Sequence, residues 1–220
     1  MKVIPKWSIA VLAVYILGLY WAPTDGAMGE SYRLIYLHVP FAWNALLGTF
    51  LAAGAAGIYL WKREEEWDRT AQGLVEASAF LAAMALATGS LWGRYTWGVW
   101  WTWDARLTTF LILFLLLAGT IVVRDMLGTT PRARRAASIV AIVAALDVPI
   151  VHLSVRLWRT LHQDASVLKP DRPSMDAEML WVLLGGAVAV GWWLFATAGA
   201  RMKALEKVTK TDGYIAEGSS

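Results

Sequence analysis

The chain contains no cysteine among its 220 residues, which rules out disulfides, thiolate metal sites and dithiol redox pairs. Charge is also sparse. Only 17% of residues are charged against 58% hydrophobic, and the apolar residues come in long runs instead of the patterned faces of a soluble domain. No connection is rich in Gly and Ser, and the longest, residues 158–178, is about twenty residues, too short for a soluble domain. No phosphate-cradling motif for ATP occurs, so any such energy comes from partners. The net charge of +3 resides in connections between apolar runs and implies no nucleic-acid partner.

What is present describes an all-α, polytopic membrane helix bundle. Six apolar segments stand out, at residues 7–22, 34–61, 70–92, 106–123, 136–157 and 179–200. Each reaches or nearly reaches the ~20 residues that carry a helix across the hydrocarbon core. The expected organisation is one six-helix membrane domain over residues 1–220, whose end, 201–220, is a short tail that frays over TDGYIAEGSS. Lys2 and Lys6 precede the first segment as they would a signal peptide. Its long apolar run and the lack of a small-x-small site in WAPTDGAM favour a retained helix.

Orientation follows from the basic residues. Thirteen of the 20 Lys and Arg lie in the N-terminus, in 62–69, in 124–135 and after residue 200; the alternate connections carry seven. The positive-inside rule then places both termini in the cytoplasm and residues 92–104 and 158–178 on the outer face of the cytoplasmic membrane.

Residues 92–104 read WGRYTWGVWWTWD and hold Trp92, Trp97, Trp100, Trp101 and Trp103, five of the 14 tryptophans. An interfacial belt uses one or two per helix end. Five make broad, stiff apolar walls with a few N–H donors, suited to a large flat aromatic ligand. Two of the three histidines belong at the same depth: His38, in YLHVPFAW, near the outer end of the second segment, where Pro40 bends or starts the helix, and His162, in RTLHQD, just past the fifth. Neutral imidazole is the usual axial donor to haem iron, so the pair is a candidate clamp on the two faces of a porphyrin. Without CxxCH, haem is held noncovalently. His152, about one turn inside the fifth helix, reads as structural or cavity-lining. Arg33 and Arg106 either snorkel at the interface or pair bidentately with a carboxylate such as a haem propionate. Asp104 occupies an N-cap position and can also hold an indole N–H or Arg106. Asp147, near the middle of the fifth segment and two residues before Pro149, and Glu76, about two turns into the third, are carboxylates in apolar surroundings; such a group within a membrane suggests function.

WGRYTWGVWWTWDARLT resembles the tryptophan-rich "WWD" signature of the haem-handling proteins of cytochrome c maturation, and RLIYLHVPFAW and RTLHQ resemble the two outer-histidine segments of their haem exporter protein C branch. The six-segment layout extends the likeness over nearly the whole chain. The resemblance implies a subunit that binds haem b noncovalently on the outer face and presents it to a periplasmic haem chaperone during c-type cytochrome biogenesis. It implies work beside an ATP-driven ABC transporter pair and a small single-span membrane subunit. By the same resemblance His38 and His162 are the axial ligands, and Trp92, Trp97, Trp100, Trp101, Trp103 and Asp104 form the platform. His152 matches none of these motifs. A haem lyase acting directly on apocytochrome and a b-type electron-transfer cytochrome are the alternatives. The first has relatives that are larger and carry further histidines in their spans, and the second needs histidine pairs buried within helices.

Overall fold

In the computed structural model, residues 5–26, 28–128, 130–162, 167 and 174–218 are described, with side chains to 208. They form an all-helical bundle: α1 (Lys6–Gly18), a 3-10 turn at Leu19–Trp21, a second at Glu30–Leu34, then α2 (Ile35–Lys62), α3 (Glu65–Trp97), α4 (Ala105–Leu127), α5 (Pro131–Leu157) and α6 (Ala177–Gly218). Five of these are long and apolar enough to cross a membrane. The 13 residues of α1 are not: at ~1.5 Å per residue they span about 20 Å, against ~30 Å of hydrocarbon. The expected first span of 7–22 is cut short because the chain tightens into the 3-10 turn, and Pro23 has no N–H with which to continue. At the other end α6 continues unbroken to Gly218, so the last turns expected to fray are helical over the described residues.

Boundary residues explain the helix starts and stops. Asp104 caps α4 by accepting the Leu107 N–H at 2.9 Å, and Thr130 caps α5 by accepting Ala133 N–H at 3.2 Å, with Pro131 at the first helical position. Arg63 and Gly98, with φ of 64° and 77°, turn the chain out of α2 and α3.

Helices α2 and α3 form the centre. They pack on each other, α2 also on α5 and α6, α3 on α4 and α6, while α4 lies against α5 and α1 mainly against α6. The seam is built from small residues: Ala45, Ala52, Ala56, Ala82 and Ala85 are fully buried. Such residues let helix backbones approach closely, which is how membrane helices gain contact when lipid is as apolar as the partner. At Gly73 a Cβ would come within 2.7 Å of the Ala198 carbonyl oxygen, so glycine sets the spacing of α3 from α6.

The two ends of the bundle differ. At one, Arg124 at the end of α4 pairs bidentately with Asp68 at the start of α3. Arg134 of α5 joins Glu65 and lies 3.5 Å from Asp68. Asp68 and Arg124 are 3% and 8% exposed, so each charge depends on the other for the solvation that burial removes. Glu76 is also paired, with Arg201 of α6 at 2.7 Å and with Gln72 at 3.0 Å. The other end gathers Trp92, Trp97, Trp100, Trp101 and Trp103 with two of the histidines.

Candidate functional site

His38 lies in the first turn of α2, just before Pro40. Its Nδ1 is 2.9 Å from the carbonyl oxygen of Ala85 on α3. A carbonyl only accepts, so Nδ1 carries the proton and Nε2 keeps its lone pair. The ring fits because of Gly89, where a Cβ would stand 2.7 Å from His38 Cε1.

His162 follows α5 and reaches the N-cap of α4. Its Nδ1 stands 3.2 Å from Asp104 Oδ2, the oxygen that Leu161 N–H also faces at 3.4 Å, and its own N–H donates to Thr160 Oγ1 at 2.8 Å. Burial holds the His162 imidazole below its ordinary range; Asp104 pulls it upward and Arg106 pushes it down. The ring is therefore neutral at pH 7, with Nδ1–H on the carboxylate and Nε2 unprotonated. A histidine whose far nitrogen is fixed by an acceptor is the usual arrangement of a metal ligand.

The tryptophans divide between helix and loop. The expected outer loop of 92–104 is shorter, because α3 runs to Trp97 and only residues 98–104 are irregular. Gly93 does not stop the helix. It is buried, and a Cβ there would lie 3.2 Å from the Trp97 ring, so its role is to admit that ring. The end of α3 thereby offers one indole to each histidine: Trp92 lies 6.0 Å from His38 and Trp97 lies 5.0 Å from His162, edge to face. In the loop, Trp101 meets Trp103 edge to face at 5.7 Å, while Trp100 and Trp103 are exposed. Ser90 Oγ donates to the Trp100 carbonyl and Arg94 to the Gly98 carbonyl, each at 2.5 Å, which ties the loop to α3. The indole N–H groups of Trp92 and Trp101 are buried with no partner among the described residues. Buried donors are nearly always satisfied, so these two are available to a bound molecule.

The arginines separate. Arg33 Nη1 donates to the Tyr20 carbonyl at 2.5 Å and pairs with Glu30 at 3.1 Å, which fastens the chain before α2 to the end of α1. Arg106, in the first turn of α4, is within electrostatic reach of both His38 and His162. Beside Asp104 an open groove of about 500 Å³ runs between Trp103, Thr108, Trp158 and Arg159. His152 is exposed on the side of α5. Asp147 is 7% exposed and its Oδ2 has no partner among the described residues.

Sequence reasoning missed Ala85 and Gly89 as the seat of His38. The available signal was an isolated glycine three residues before Trp92 in an otherwise apolar helix, where glycine costs ~1 kcal/mol and so marks a close approach. The geometry suits haem: two imidazoles with Nε2 unprotonated, indole faces beside each, and two unpartnered buried N–H donors.

Comparison with known proteins agrees with the motifs. The family described as heme exporter protein C matches residues 2–213. Heme exporter protein C of Bradyrhizobium diazoefficiens is 37% identical over 192 residues, 86% of this chain and 73% of its own. The Escherichia coli K12 protein of that name is 36% identical over 188 residues, 83% of this chain and 76% of its own. A cytochrome c biosynthesis ccmC-like mitochondrial protein of Marchantia polymorpha is 34% identical over 161 residues, 73% of this chain and 68% of its own. With the motifs in their expected order and the match running through every helix, the chain belongs to the heme exporter protein C family.

Proposed function

We propose that this protein holds haem b noncovalently between His38 and His162 at the outer face of the cytoplasmic membrane and presents it to a periplasmic haem chaperone for c-type cytochrome assembly. The observation that carries the reading is that each histidine has its Nδ1 committed to an acceptor, Ala85 or Asp104, and its Nε2 left as a donor to iron. Trp92, Trp97, Trp100, Trp101 and Trp103 supply the platform, Asp104 shapes it, and Arg106, in the first turn of α4, pairs with the propionates. Arg33 serves by holding the segment that leads into α2 and offers its buried Nε, which has no partner among the described residues, to a propionate. When bound, the haem supplies its own reactive edge; the protein binds and orients it, which is where positioning lowers a barrier.

In the same reading α1 together with the 3-10 turn that extends it to Trp21 serves as a short sixth span, both termini are in the cytoplasm, and the ion-paired end of the bundle faces inward. The names of the relatives support a role in haem export. The partners are the chaperone, an ATP-driven transporter pair, a small single-span subunit and the surrounding lipid bilayer.

Coexpression with the chaperone tests the reading. Acidified organic solvent is expected to strip haem from this protein and to leave covalent haem on the chaperone, with less loaded when Trp101 or His162 is replaced by Ala. A chaperone loaded equally well in cells lacking this chain would overturn it.

A further inference from the structure

The turn that carries His38 is held by residues outside the tryptophan cluster. Pro40 has no N–H, so the carbonyl of Tyr36, four residues earlier, loses its helical partner. That carbonyl instead accepts the hydroxyl of Tyr15, from α1, at 2.6 Å. On the other side of the break, Asn44 Nδ2 donates both to the Pro40 carbonyl at 2.9 Å and to the Ala187 carbonyl of α6 at 3.0 Å. Tyr36 and Pro40 are fully buried, so an unpaired carbonyl there would carry its whole desolvation penalty. Gly186 of α6 makes room for the arrangement: a Cβ would fall 2.1 Å from the Tyr15 hydroxyl oxygen and 3.0 Å from Pro40 Cγ. Thus α1, which packs mainly against α6, reaches α2 at the one turn between Pro40 and the start of the helix, and His38 is in that turn.

We propose that Tyr15 is a positioning residue for His38: its hydroxyl replaces the hydrogen bond that Pro40 removes and so sets the angle at which the His38 ring meets Ala85 and the haem. As a statement about ligation this rests on the proposed function. As a statement about the ring it does not, since the His38–Ala85 contact exists without haem. The rest of α2 is laddered to itself, whereas this first turn is missing one of its own bonds. A donor supplied from another helix therefore controls its tilt, and a small tilt moves a ring bound at only one nitrogen.

The test uses the full chain in detergent. Tyr15→Phe keeps the ring and removes the donor; Gly186→Ala keeps the donor and displaces it. Without haem, nitrogen-15 spectra of the histidine rings are expected to show His38 as a single Nδ1–H tautomer in the native protein and as a mixture of tautomers in both variants. With haem, both variants are expected to lose at least half of the low-spin signal, and imidazole is expected to restore it. Val14→Ala, at an exposed position on α1, should behave as the native protein. A single native tautomer together with an undiminished low-spin signal in both variants would overturn the role of Tyr15. A native protein whose low-spin signal survives His38→Ala overturns haem ligation instead, and the tautomer spectra then still decide whether Tyr15 sets the ring.

Discussion

Asp104 divides its two oxygens between two elements: Oδ1 accepts the Leu107 N–H at 2.9 Å and closes the first turn of α4, while Oδ2 stands 3.2 Å from Nδ1 of His162. One side chain thus starts a helix and fixes the tautomer of a histidine 58 residues away in sequence. The two duties are separable by chemistry, because a cap needs an oxygen and the histidine responds to a charge.

Asp104→Asn retains the cap, since Asn caps as well as Asp, whereas Asp104→Ala is expected to cost about 1 kcal/mol of stability. In both, the titration of His162 moves further down the pH scale. Asp104 is what raises it, and burial, the largest influence, already lowers it. A lower value keeps the ring neutral at pH 7, while the tautomer that the carboxylate fixed is released. Ring NMR of the haem-free protein checks this; a native His162 titrating at or above the ordinary ~6.5 would contradict it.

Replacing His38 or His162 by Ala should abolish the six-coordinate low-spin haem spectrum, with partial recovery on adding imidazole. His152→Ala should leave it intact, since that side chain is exposed on α5. The optical spectra of the three purified variants decide the point. Survival of the low-spin form in both outer-histidine variants removes the pair from the site.

Gly89→Ala separates stability from ligation. Alanine favours a helix over glycine by ~1 kcal/mol, but its Cβ would intrude to 2.7 Å from His38 Cε1. Thermal stability is expected to hold or rise while haem retention falls. A variant that binds haem as the native protein does would show that the ring has room to move.

Asp68→Ala leaves Arg124 buried and unpaired at the far end of the bundle, and the expected loss is about 3–5 kcal/mol. Removing both charges, as Asp68→Leu with Arg124→Met, should recover most of it, because the desolvation cost disappears with the pair. Thermal unfolding in detergent reads both. A double variant no more stable than Asp68→Ala would count against the charge-pair explanation.

A cysteine placed at Tyr95, which is exposed in the last turn of α3, should react with an impermeant thiol reagent in intact cells. One at Ser166, which lies outside the described residues, should react as well. One at Thr130, in the turn between α4 and α5, should not. Labelling at Thr130 alone would invert the orientation.

The cluster was legible in the chain to the extent that chemistry is carried by residue type. Five tryptophans in thirteen positions, two histidines at matching depth and an aspartate before an apolar run each announce a role, and Asp104 is the cap that its position implies. Boundaries were less legible. The third apolar segment ends at residue 92, yet α3 continues through Gly93 to Trp97, because a glycine that admits a neighbouring ring looks the same in sequence as one that ends a turn. Arg33 is a second instance: its position suggests an interfacial cation, but only the fold shows it fastened to Tyr20 and Glu30.

Hydrophobic run length and residue chemistry act locally, and so the sequence by itself determined an all-helical membrane bundle, the family motifs and the identity of the clustered side chains. Which partners those side chains take is a matter of long-range packing. That His38 rests on Ala85, that Gly89 and Gly186 are spaces for rings, that Asp68 needs Arg124, and that Tyr15 supplies the bond Pro40 lacks all join residues from different helices. No local pattern encodes those pairings, because they exist only once the helices are side by side.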